Sequence, residues 1–178
     1  MEHVTLRQWR DSDLEPYAAM NRDPEVMRYF PGFRTHEETK ESFDRQRSLI
    51  ALRGWGLWAV DVDGEFAGFT GLAVPAFDAP FMPCVEIGWR MQRRFWGRGI
   101  AYRAACDALA YGFNTLNLPD IVSFTVVTNA RSRRLMERLG LTHRPSDDFD
   151  HPSFPSGHEL QRHVFYRRSR ESRPSAST

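Results

Sequence analysis

Hydrophobic and polar positions in the N-terminal half of the chain predict one strand followed by helices. Apolar residues alternate as in a strand and then recur at helical spacing behind side chains typical of helix caps. The polar segment that follows begins with a capping-box pattern, and a proline marks the first turn of the helix before it. The predicted elements are a strand over Val4–Trp9, a helix capped by Asp11 or Ser12, a helix starting at Asp23-Pro24-Glu25, and a polar helix from Thr35 to near Gly54.

The C-terminal half alternates between strand and helix patterns. Asp63-Gly64 separates two apolar runs and predicts a tight hairpin. The predicted elements after it are a loop over 75–83, strands over 85–91, 121–127 and 160–168, and helices over 99–113 and 129–139. The hairpin strands are Trp55–Asp61 and Phe66–Val74, which gives the order β-α-α-β-β-β-α-β-α-β. This order predicts an α/β domain with a mixed sheet.

Length and composition fit one globular domain. The chain has 178 residues, 41% hydrophobic and 26% charged, and no apolar run long enough to span a bilayer or to act as a signal peptide. We expect residues 1–168 to form a single domain in the cytoplasm and the polar residues 169–178 to be a disordered tail. The two cysteines, Cys84 and Cys106, have no CxxC spacing and are expected to be reduced.

Positive charge is concentrated in one part of the chain. Residues 85–145 carry ten basic and four acidic side chains, although the net charge of the whole chain is only +1. Within this part, the glycines of Arg94–Ala101 lie between a predicted strand and a predicted helix. Such a turn directs backbone N–H groups and the positive end of a helix dipole at an anion. The segment is neither a P-loop nor a GxGxxG fingerprint, and a purely structural strand-to-helix turn remains the alternative.

The same segment resembles a known family signature. Arg94-x-x-Gly97-x-Gly99-Ile100-Ala101 is similar to the R/Q-x-x-G-x-G/A acetyl-CoA signature of GNAT acetyltransferases. Val85–Trp89 looks like that family's fourth strand, and Thr128–Leu141 resembles its second conserved block. Residues 21–30 are similar to the RimJ/RimL-type subgroup, which acetylates N-termini of ribosomal proteins.

The resemblance implies a GNAT fold in an α/β (α+β) domain. The central sheet would be mixed and mostly antiparallel, with helices on its faces and with strands four and five splayed apart to hold acetyl-CoA. It implies that the pyrophosphate binds the glycine turn and that the pantetheine follows the fourth strand. The implied cofactor contacts are Trp89, Arg90, Met91, Arg94, Phe95, Trp96, Gly97, Arg98, Gly99, Ile100, Ala101, Asn129 and Ser132.

Two residues are candidates for the chemistry of direct acetyl transfer to an amine. Glu86 lies between two apolar strand residues, so its side chain should face a cleft in which burial raises its pKa and makes it a general base. A strand carboxylate paired with an arginine is the alternative. The tyrosine that many GNAT enzymes use as an acid is replaced by Leu135 or Met136, so Ser132 is the candidate donor to the thiolate. For Ser132, capping of the helix backbone is the alternative.

The acidic loop before the last strand is a candidate for acceptor binding. Asp150 could recognise an ammonium group, and His151 could shuttle a proton, whereas an ordinary polar loop is the alternative. No metal is expected, because the spacing of His158 and His163 is one residue too long for an HExxH motif.

The sequence therefore predicts an N-acetyltransferase that uses acetyl-CoA and an amine acceptor, as a monomer or homodimer, without nucleic-acid or membrane partners. A non-catalytic acyl-CoA-binding or sensor domain of the same fold is the first alternative. A nucleotide or nucleic-acid binder is the second, although no long basic stripe with interleaved aromatic residues is present.

Overall fold

A computed structural model describes residues 2–170 of the chain. The strands are β1 (Val4–Arg7), β2 (Leu57–Val62), β3 (Glu65–Ala73), β4 (Glu86–Met91), β5 (Asp120–Val126), β6 (Thr142–His143), β7 (Phe149–Asp150) and β8 (Arg162–Ser169). The helices are α1 (Leu14–Met20), α2 (Pro24–Met27), α3 (His36–Arg53), α4 (Ile100–Asn114) and α5 (Ala130–Arg138). Short 3-10 turns precede α1, lie between β4 and α4, and precede β7.

All eight strands form one mixed sheet. Its order is β1-β2-β3-β4-β5-β8-β6, with β7 also paired to β8, and every pairing is antiparallel except that of β4 with β5. The predicted fold class is therefore confirmed. The strands β6 and β7 were not predicted, because two residues are too few to show an alternating pattern. The last strand extends through Ser169, and the Arg170 N–H donates to the Pro119 carbonyl at 2.8 Å, so the predicted tail begins with two ordered residues; its residues 171–178 lie outside the described residues.

Local signals in the sequence explain most element boundaries. Thr35 and Glu38 exchange the two hydrogen bonds of a capping box at the start of α3, and Gly54 ends this helix in the left-handed conformation. Asp63 and Gly64 have φ values of 51° and 90°, as the two central residues of a type I′ hairpin turn require. The side chain of Asp23 accepts hydrogen bonds from the first turn of α2.

The two faces of the sheet carry different layers. Leu72 and Ile87 are register partners whose side chains face α4, where Gly112 packs against Leu72. Phe69 and Arg90, the register partners three positions away on each strand, face α1 and the aromatic cluster around Trp9. Side chains of successive strand residues alternate between these faces, so a polar residue on the Phe69 face of β4 points away from the α4 core.

The parallel pair β4–β5 separates almost as soon as it forms. Its register contains the single pair Glu86 and Val122, with the Val122 N–H donating to the Val85 carbonyl at 2.9 Å. One residue further, the Ser123 hydroxyl donates to the Ile87 carbonyl at 2.8 Å. Beyond this point no pairing of β4 with β5 is found in residues 2–170. The predicted splaying of the fourth and fifth strands is confirmed, and it opens the central sheet at its middle.

Candidate functional site

A cavity of about 430 Å³ opens beside the point where β4 and β5 separate. Its walls come from α1, the segment after α2, α3, β4, β5, α5 and the loop before β8. The residues of β4 and the neighbouring elements that line it are Tyr29, Phe30, Arg34, Arg45, Glu86, Gly88, Trp89, Arg90, Ser123, Phe124, Asn129, Ser132, Met136, His151, Phe154 and His163. The cavity thus brings together segments that lie more than 130 residues apart in the chain.

The floor of the cavity is one face of β4. Glu86, Gly88 and Arg90 are alternate residues of the strand and therefore point to the same side. With a rise of about 3.3 Å per residue, Glu86 and Arg90 lie roughly 6.6 Å on either side of Gly88 along the strand. A Cβ built on Gly88 would meet only the Glu86 Oε1, at 4.0 Å, so the strand leaves open space at this glycine.

Glu86 is a half-buried carboxylic acid on the floor of the cavity. Burial raises its pKa to about 8, because the ionised form loses hydration that no other charge replaces. Within residues 2–170 the carboxylate has neither an arginine partner nor a hydrogen bond, and it borders the cavity. The arginine partner that the alternative requires is thus not found among the described residues. A carboxylate of this kind can accept a proton from a group bound in the cavity.

Ser132 lies at the other side of the cavity, where the first turn of α5 approaches β4. Its Oγ accepts hydrogen bonds from the Trp89 indole at 3.4 Å and from the Asn129 amide at 3.1 Å. A hydroxyl whose oxygen receives two donors keeps its own proton free to donate. The helix cap is provided instead by Asn129, whose Oδ1 accepts from the Ser132 N–H at 3.3 Å. The side chain of Asn129, and not that of Ser132, therefore caps the backbone of α5.

The peptide groups of β4 that face β5 form the edge of the open gap. Because the Val85 carbonyl points to β5, the alternation of the strand directs the N–H of Trp89 to the same side. The carbonyl of Met91 is already bonded to the Trp96 indole at 2.9 Å. This leaves the Trp89 peptide at the gap between β4 and β5, and the indole of the same residue donates to Ser132.

The glycine turn after β4 presents unbonded N–H groups at the start of α4. Gly97 and Gly99 have φ values of 75° and 72°, and an added Cβ at either position would meet nothing within 4 Å. Within the described residues, no backbone acceptor is found for the N–H groups from Gly97 to Tyr102. Unbonded N–H groups at the positive end of a helix dipole favour binding of an anion.

The side chains around this turn are divided between the core and the rim. Phe95 and Ile100 are buried beneath the turn and can reach a ligand only through their backbone. Arg94 pairs with Glu65 at 2.5 Å and Arg98 pairs with Glu2, and both arginines remain half-exposed. Arg131 stacks on the Trp96 ring at 4.3 Å and extends the positive rim towards α5.

Arg90 is the one charged side chain buried at the inner end of the cavity floor among the described residues. Its Nη1 donates to the Asn21 Oδ1 at 2.6 Å, and the ring of Phe30 covers the guanidinium at 3.9 Å. Burial lowers the pKa of Arg90 to about 10; the interaction with Tyr17 opposes this shift, and the positive charge of Arg34 adds to it. The group is therefore charged at neutral pH although it is 8% exposed.

Aromatic and histidine side chains form the wall opposite β4. The rings of His151 and His163 lie 4.8 Å apart and contact Phe124 and Phe154. Burial, and secondarily the neighbouring His163, lowers the pKa of His151 to about 4, so its ring is neutral at neutral pH. Its Nδ1 accepts a hydrogen bond from the Ser153 N–H at 3.2 Å, which leaves the ring proton on Nε2.

Comparison with known proteins assigns this arrangement to a family. A family model described as an acetyltransferase (GNAT) domain matches residues 3–142. The chain belongs to this GNAT family. It carries an acetyl-CoA-dependent acetyltransferase domain, in agreement with the signature at Arg94–Ala101.

Several relatives of the GNAT chain are characterised by name or by structure. FsC-acetyl coenzyme A-N(2)-transacetylase of Aspergillus fumigatus is 31% identical over 131 residues, which make up 70% of this chain and 56% of that protein. The chain thus spans a little over half the length of this relative. The crystal structure of an acetyltransferase from Agrobacterium tumefaciens is 27% identical and covers 94% of this chain and 91% of its own, with a TM-score of 0.73. RimL, a ribosomal-protein alpha-N-acetyltransferase crystallised with coenzyme A, shares the fold at 18% identity, with a TM-score of 0.73 and 94% of each chain covered.

The cavity contains part of the predicted site, whereas Met91 and the turn Arg94–Ala101 lie outside it. Glu86, Ser132, Asn129 and His151 line one cavity. The side chain of Asp150 is exposed and pairs with Arg162 at 3.2 Å outside that cavity, so its contact with an acceptor stays a prediction.

The positions of two further side chains in the cavity, those of Arg90 and His163, are seen only in the structure. Arg90 was predicted as a cofactor contact through its strand, whereas its side chain enters the cavity; its spacing of four residues from Glu86 is the signal that places both on one face. His163 was interpreted as a packed residue and also lines the cavity, beside Phe124 and Phe154. No sequence signal links His163 to Phe124 and Phe154, because only β8 and the loop before it bring these residues together.

The remaining candidates for chemistry show no sign of it. Burial and, to a smaller extent, Glu86 raise the pKa of the Cys84 thiol to about 11, which keeps it protonated and a weak nucleophile. In residues 2–170 no cluster of three or more His, Cys, Asp or Glu side chains is arranged to hold a metal ion. Nor is any helix in this range long and apolar enough to cross a membrane.

Proposed function

We propose that the chain is an N-acetyltransferase that passes the acetyl group of acetyl-CoA directly to a primary amine held in the cavity. The observation that carries this proposal is that the Glu86 carboxylate and the Ser132 hydroxyl line the same cavity beside the β4–β5 gap. Within residues 2–170 that carboxylate has no hydrogen-bond or ion-pair partner. Family membership supports the cofactor, and the cavity supplies the place for an acceptor.

The open turn and the edge of β4 fit the parts of acetyl-CoA. The unbonded N–H groups from Gly97 to Tyr102 would receive the pyrophosphate, with Arg94, Arg98 and Arg131 at the rim. The β5-facing peptides near Trp89–Met91 would hydrogen-bond the pantetheine. The thioester would then lie near Trp89 and Ser132, at the mouth of the cavity.

Each step of direct transfer has a candidate group in this arrangement. The Glu86 carboxylate accepts a proton from the bound ammonium, and the neutral amine attacks the thioester carbonyl, forming the C–N bond. The backbone N–H of Trp89 donates a hydrogen bond to the thioester carbonyl oxygen, which becomes negatively charged during the attack. As the C–S bond breaks, the attacking nitrogen loses its second proton, and the departing thiolate takes up a proton to give coenzyme A. The Ser132 hydroxyl donates a hydrogen bond to that thiolate, and its own oxygen is held by the Trp89 indole and the Asn129 amide.

The RimJ/RimL-type subgroup and the acceptor belong to the proposal as well. The segment that resembles this subgroup, residues 21–30, supplies Tyr29 and Phe30 to the acceptor end of the cavity. A peptide α-amine or a small primary amine would therefore enter between this segment and the loop that carries His151.

A non-catalytic acyl-CoA-binding domain is the second candidate. The observation that favours it is the absence of a tyrosine at Leu135 and Met136, and Met136 is buried in the core.

The experiment that separates the two candidates incubates the protein with acetyl-CoA and a panel of amines and peptides, and detects acetylated products by mass spectrometry. Acetylated amine that accumulates in proportion to enzyme supports the transferase. Saturable acetyl-CoA binding without any acetylated product would support the binding domain instead.

A further inference from the structure

The buried guanidinium of Arg90 lacks a counter-ion. In residues 2–170 no carboxylate lies within ion-pairing distance, and its one hydrogen bond goes to the neutral amide of Asn21. That amide is itself fixed, because it donates to Thr39 at 3.1 Å and both residues are fully buried. Burying a charge without an opposite charge is strongly unfavourable, so a fold that keeps Arg90 here has a use for it.

The free edge of Arg90 has the geometry of a carboxylate site. Nη1 is occupied by Asn21, whereas the buried Nε has no hydrogen-bond partner among the described residues and Nη2 donates to none of them. Nε and Nη2 together form one edge of the planar guanidinium, which can donate two parallel hydrogen bonds to a carboxylate. Phe30 stacks on the face of the group at 3.9 Å.

The charges that line the cavity favour an anion at this end. Arg34 and Arg45 line the same cavity as Arg90, and neither has an ion-pair partner within the described residues. Glu86 is the one carboxylate among the lining residues, and its raised pKa keeps it largely protonated at neutral pH. His151 is neutral there. A polycationic amine would therefore meet three arginines, whereas an acceptor with a negative group would be attracted by them.

The spacing along β4 fits a molecule with an amine and a carboxylate. Gly88 leaves open space midway between Glu86 and Arg90, close to Trp89 and Ser132. An amine over Gly88 can deliver its proton towards Glu86 on one side. A carboxylate a few bonds away on the same molecule would lie on the other side, towards Arg90, since about 6.6 Å of strand separates Gly88 from Arg90.

We propose that the acceptor is a small primary amine that carries a carboxylate, of the amino-acid class, and that the Nε–Nη2 edge of Arg90 binds this carboxylate with Arg34 at the rim. This inference rests on the proposed acetyl transfer to an amine in the same cavity. It assigns substrate selection to Arg90 and leaves the chemistry to Glu86 and Ser132.

Matched acceptors test the inference directly. The standard L-amino acids are compared with their carboxamides and with the corresponding amines that lack the carboxyl carbon, for example L-phenylalanine, L-phenylalaninamide and phenethylamine. The best acceptor is expected to be a carboxylate, with kcat/KM falling about 10-fold to 100-fold in its carboxamide, as the loss of charge-assisted hydrogen bonds predicts. Equal or faster acetylation of the uncharged partners throughout the panel would overturn the inference while leaving the transferase intact.

Variants connect the selectivity to the residue. Arg90→Met keeps the length of the side chain and should abolish the preference for the acid over the amide, and Arg34→Gln, on the rim, should reduce it. Arg47→Gln is the control, because Arg47 lies on the same helix as Arg45 but pairs with Asp11 outside the cavity. If Arg90→Met does not fold, the Arg34→Gln variant and the wild-type panel still test whether the cavity selects a carboxylate.

A binding measurement separates this inference from the proposed function. Calorimetric titration of the protein saturated with coenzyme A measures the affinities of N-acetyl-L-amino acids and of their amides. Tighter binding of the acids without turnover of any amine would support the carboxylate site and contradict the proposed transferase. If no acid is bound or acetylated in preference to its amide, the carboxylate site is refuted whatever the turnover.

Discussion

The Ser132 hydroxyl oxygen accepts a hydrogen bond from the Trp89 indole at 3.4 Å, and this contact joins α5 to β4 across the gap between β4 and β5. Together with the Asn129 amide at 3.1 Å, it fixes the oxygen and leaves the hydroxyl proton free. The backbone of α5 is capped by Asn129 and does not depend on this hydroxyl. Ser132 can therefore be changed with little effect on the helix.

We expect Ser132→Ala to lower kcat by about 10-fold to 100-fold, because the departing thiolate loses a hydrogen bond to a charged atom. The affinity for acetyl-CoA and the melting temperature should stay close to those of the wild type. Steady-state kinetics and thermal melts measure both, with Ser48→Ala on the exposed face of α3 as the control. Asn129→Ala should instead lose about 1 kcal/mol of stability together with activity. An unchanged kcat in Ser132→Ala removes this residue as a donor.

The glycine at the centre of the cavity floor gives a second prediction. Gly88→Ala adds a methyl group that meets no atom closer than Glu86 Oε1 at 4.0 Å, so the protein should fold normally. The methyl occupies the space assigned to the amine, and kcat/KM for the acceptor should fall at least about tenfold, with an unchanged Kd for acetyl-CoA.

Gly71→Ala is the informative comparison for this variant. Its Cβ would lie 2.0 Å from the Gly56 carbonyl oxygen, so the variant should lose about 1–3 kcal/mol of stability or more. If Gly88→Ala keeps full activity towards acceptors of every size, the amine does not bind above Gly88.

The burial of Glu86 predicts a cost in stability that depends on pH. Its folded-state pKa of about 8 exceeds the unperturbed value of 4.5, so the folded state binds this proton more tightly than the unfolded state does. The free energy of unfolding therefore falls as the pH rises from 4.5 to about 8, and the stabilisation present below pH 4.5 is fully lost above pH 8. Glu86→Gln cannot ionise, so its melting temperature should exceed that of the wild type more at pH 9 than at pH 5, by about 2–4 °C for each kcal/mol.

Thermal melts of both proteins at the two pH values test this linkage. Glu41→Gln, on the exposed face of α3, should show the same difference from wild type at pH 5 and pH 9. A Glu86→Gln difference that does not widen with pH would show that this carboxyl is not buried as described.

Much of the fold and part of the site followed from the sequence, because the relevant signals are local. Caps, the Asp63-Gly64 turn and the strand patterns depend on residues a few positions apart, and so does the glycine turn that starts α4. Glu86 was identified because it interrupts an apolar strand. These features need no knowledge of the tertiary structure.

The acceptor end of the site could not be predicted in the same way. Arg90 owes its burial to Asn21 and Phe30, which approach it from segments some 60–70 residues earlier. His151 and His163 meet because β7 pairs with β8, and β7 has only two residues. Contacts of this kind depend on the packing of the whole domain, which the pattern of one segment does not contain.

The glycine turn provides a prediction for the cofactor. Gly99→Asp places a carboxylate among the unbonded N–H groups at the start of α4, where the pyrophosphate would bind, and should weaken acetyl-CoA binding about 10-fold to 100-fold or more. Calorimetric titration measures the Kd, with ATP and NAD as ligands that should not bind.

Gly157→Asp controls for backbone strain in this experiment. Gly157 has a φ of 82°, close to the 72° of Gly99, and an added Cβ meets nothing within 4 Å at either position. Acetyl-CoA should bind this variant as it binds the wild type. Equal affinities for Gly99→Asp and Gly157→Asp would place the pyrophosphate elsewhere.

The dependence of acetyl transfer on pH in wild type and Glu86→Gln tests the central claim most directly. An acceptor that stays uncharged over the whole range, such as a hydrazide, removes the titration of the substrate from the profile. With this acceptor Glu86 accepts the proton that the nitrogen loses as it attacks the thioester. The proposed base requires that kcat/KM of the wild type rise with pH and level off above an apparent pKa of about 8. In Glu86→Gln this rise should be absent and the rate about 10²-fold to 10⁴-fold lower. A variant that keeps both the wild-type rate and the wild-type profile would contradict the role of Glu86 as the base.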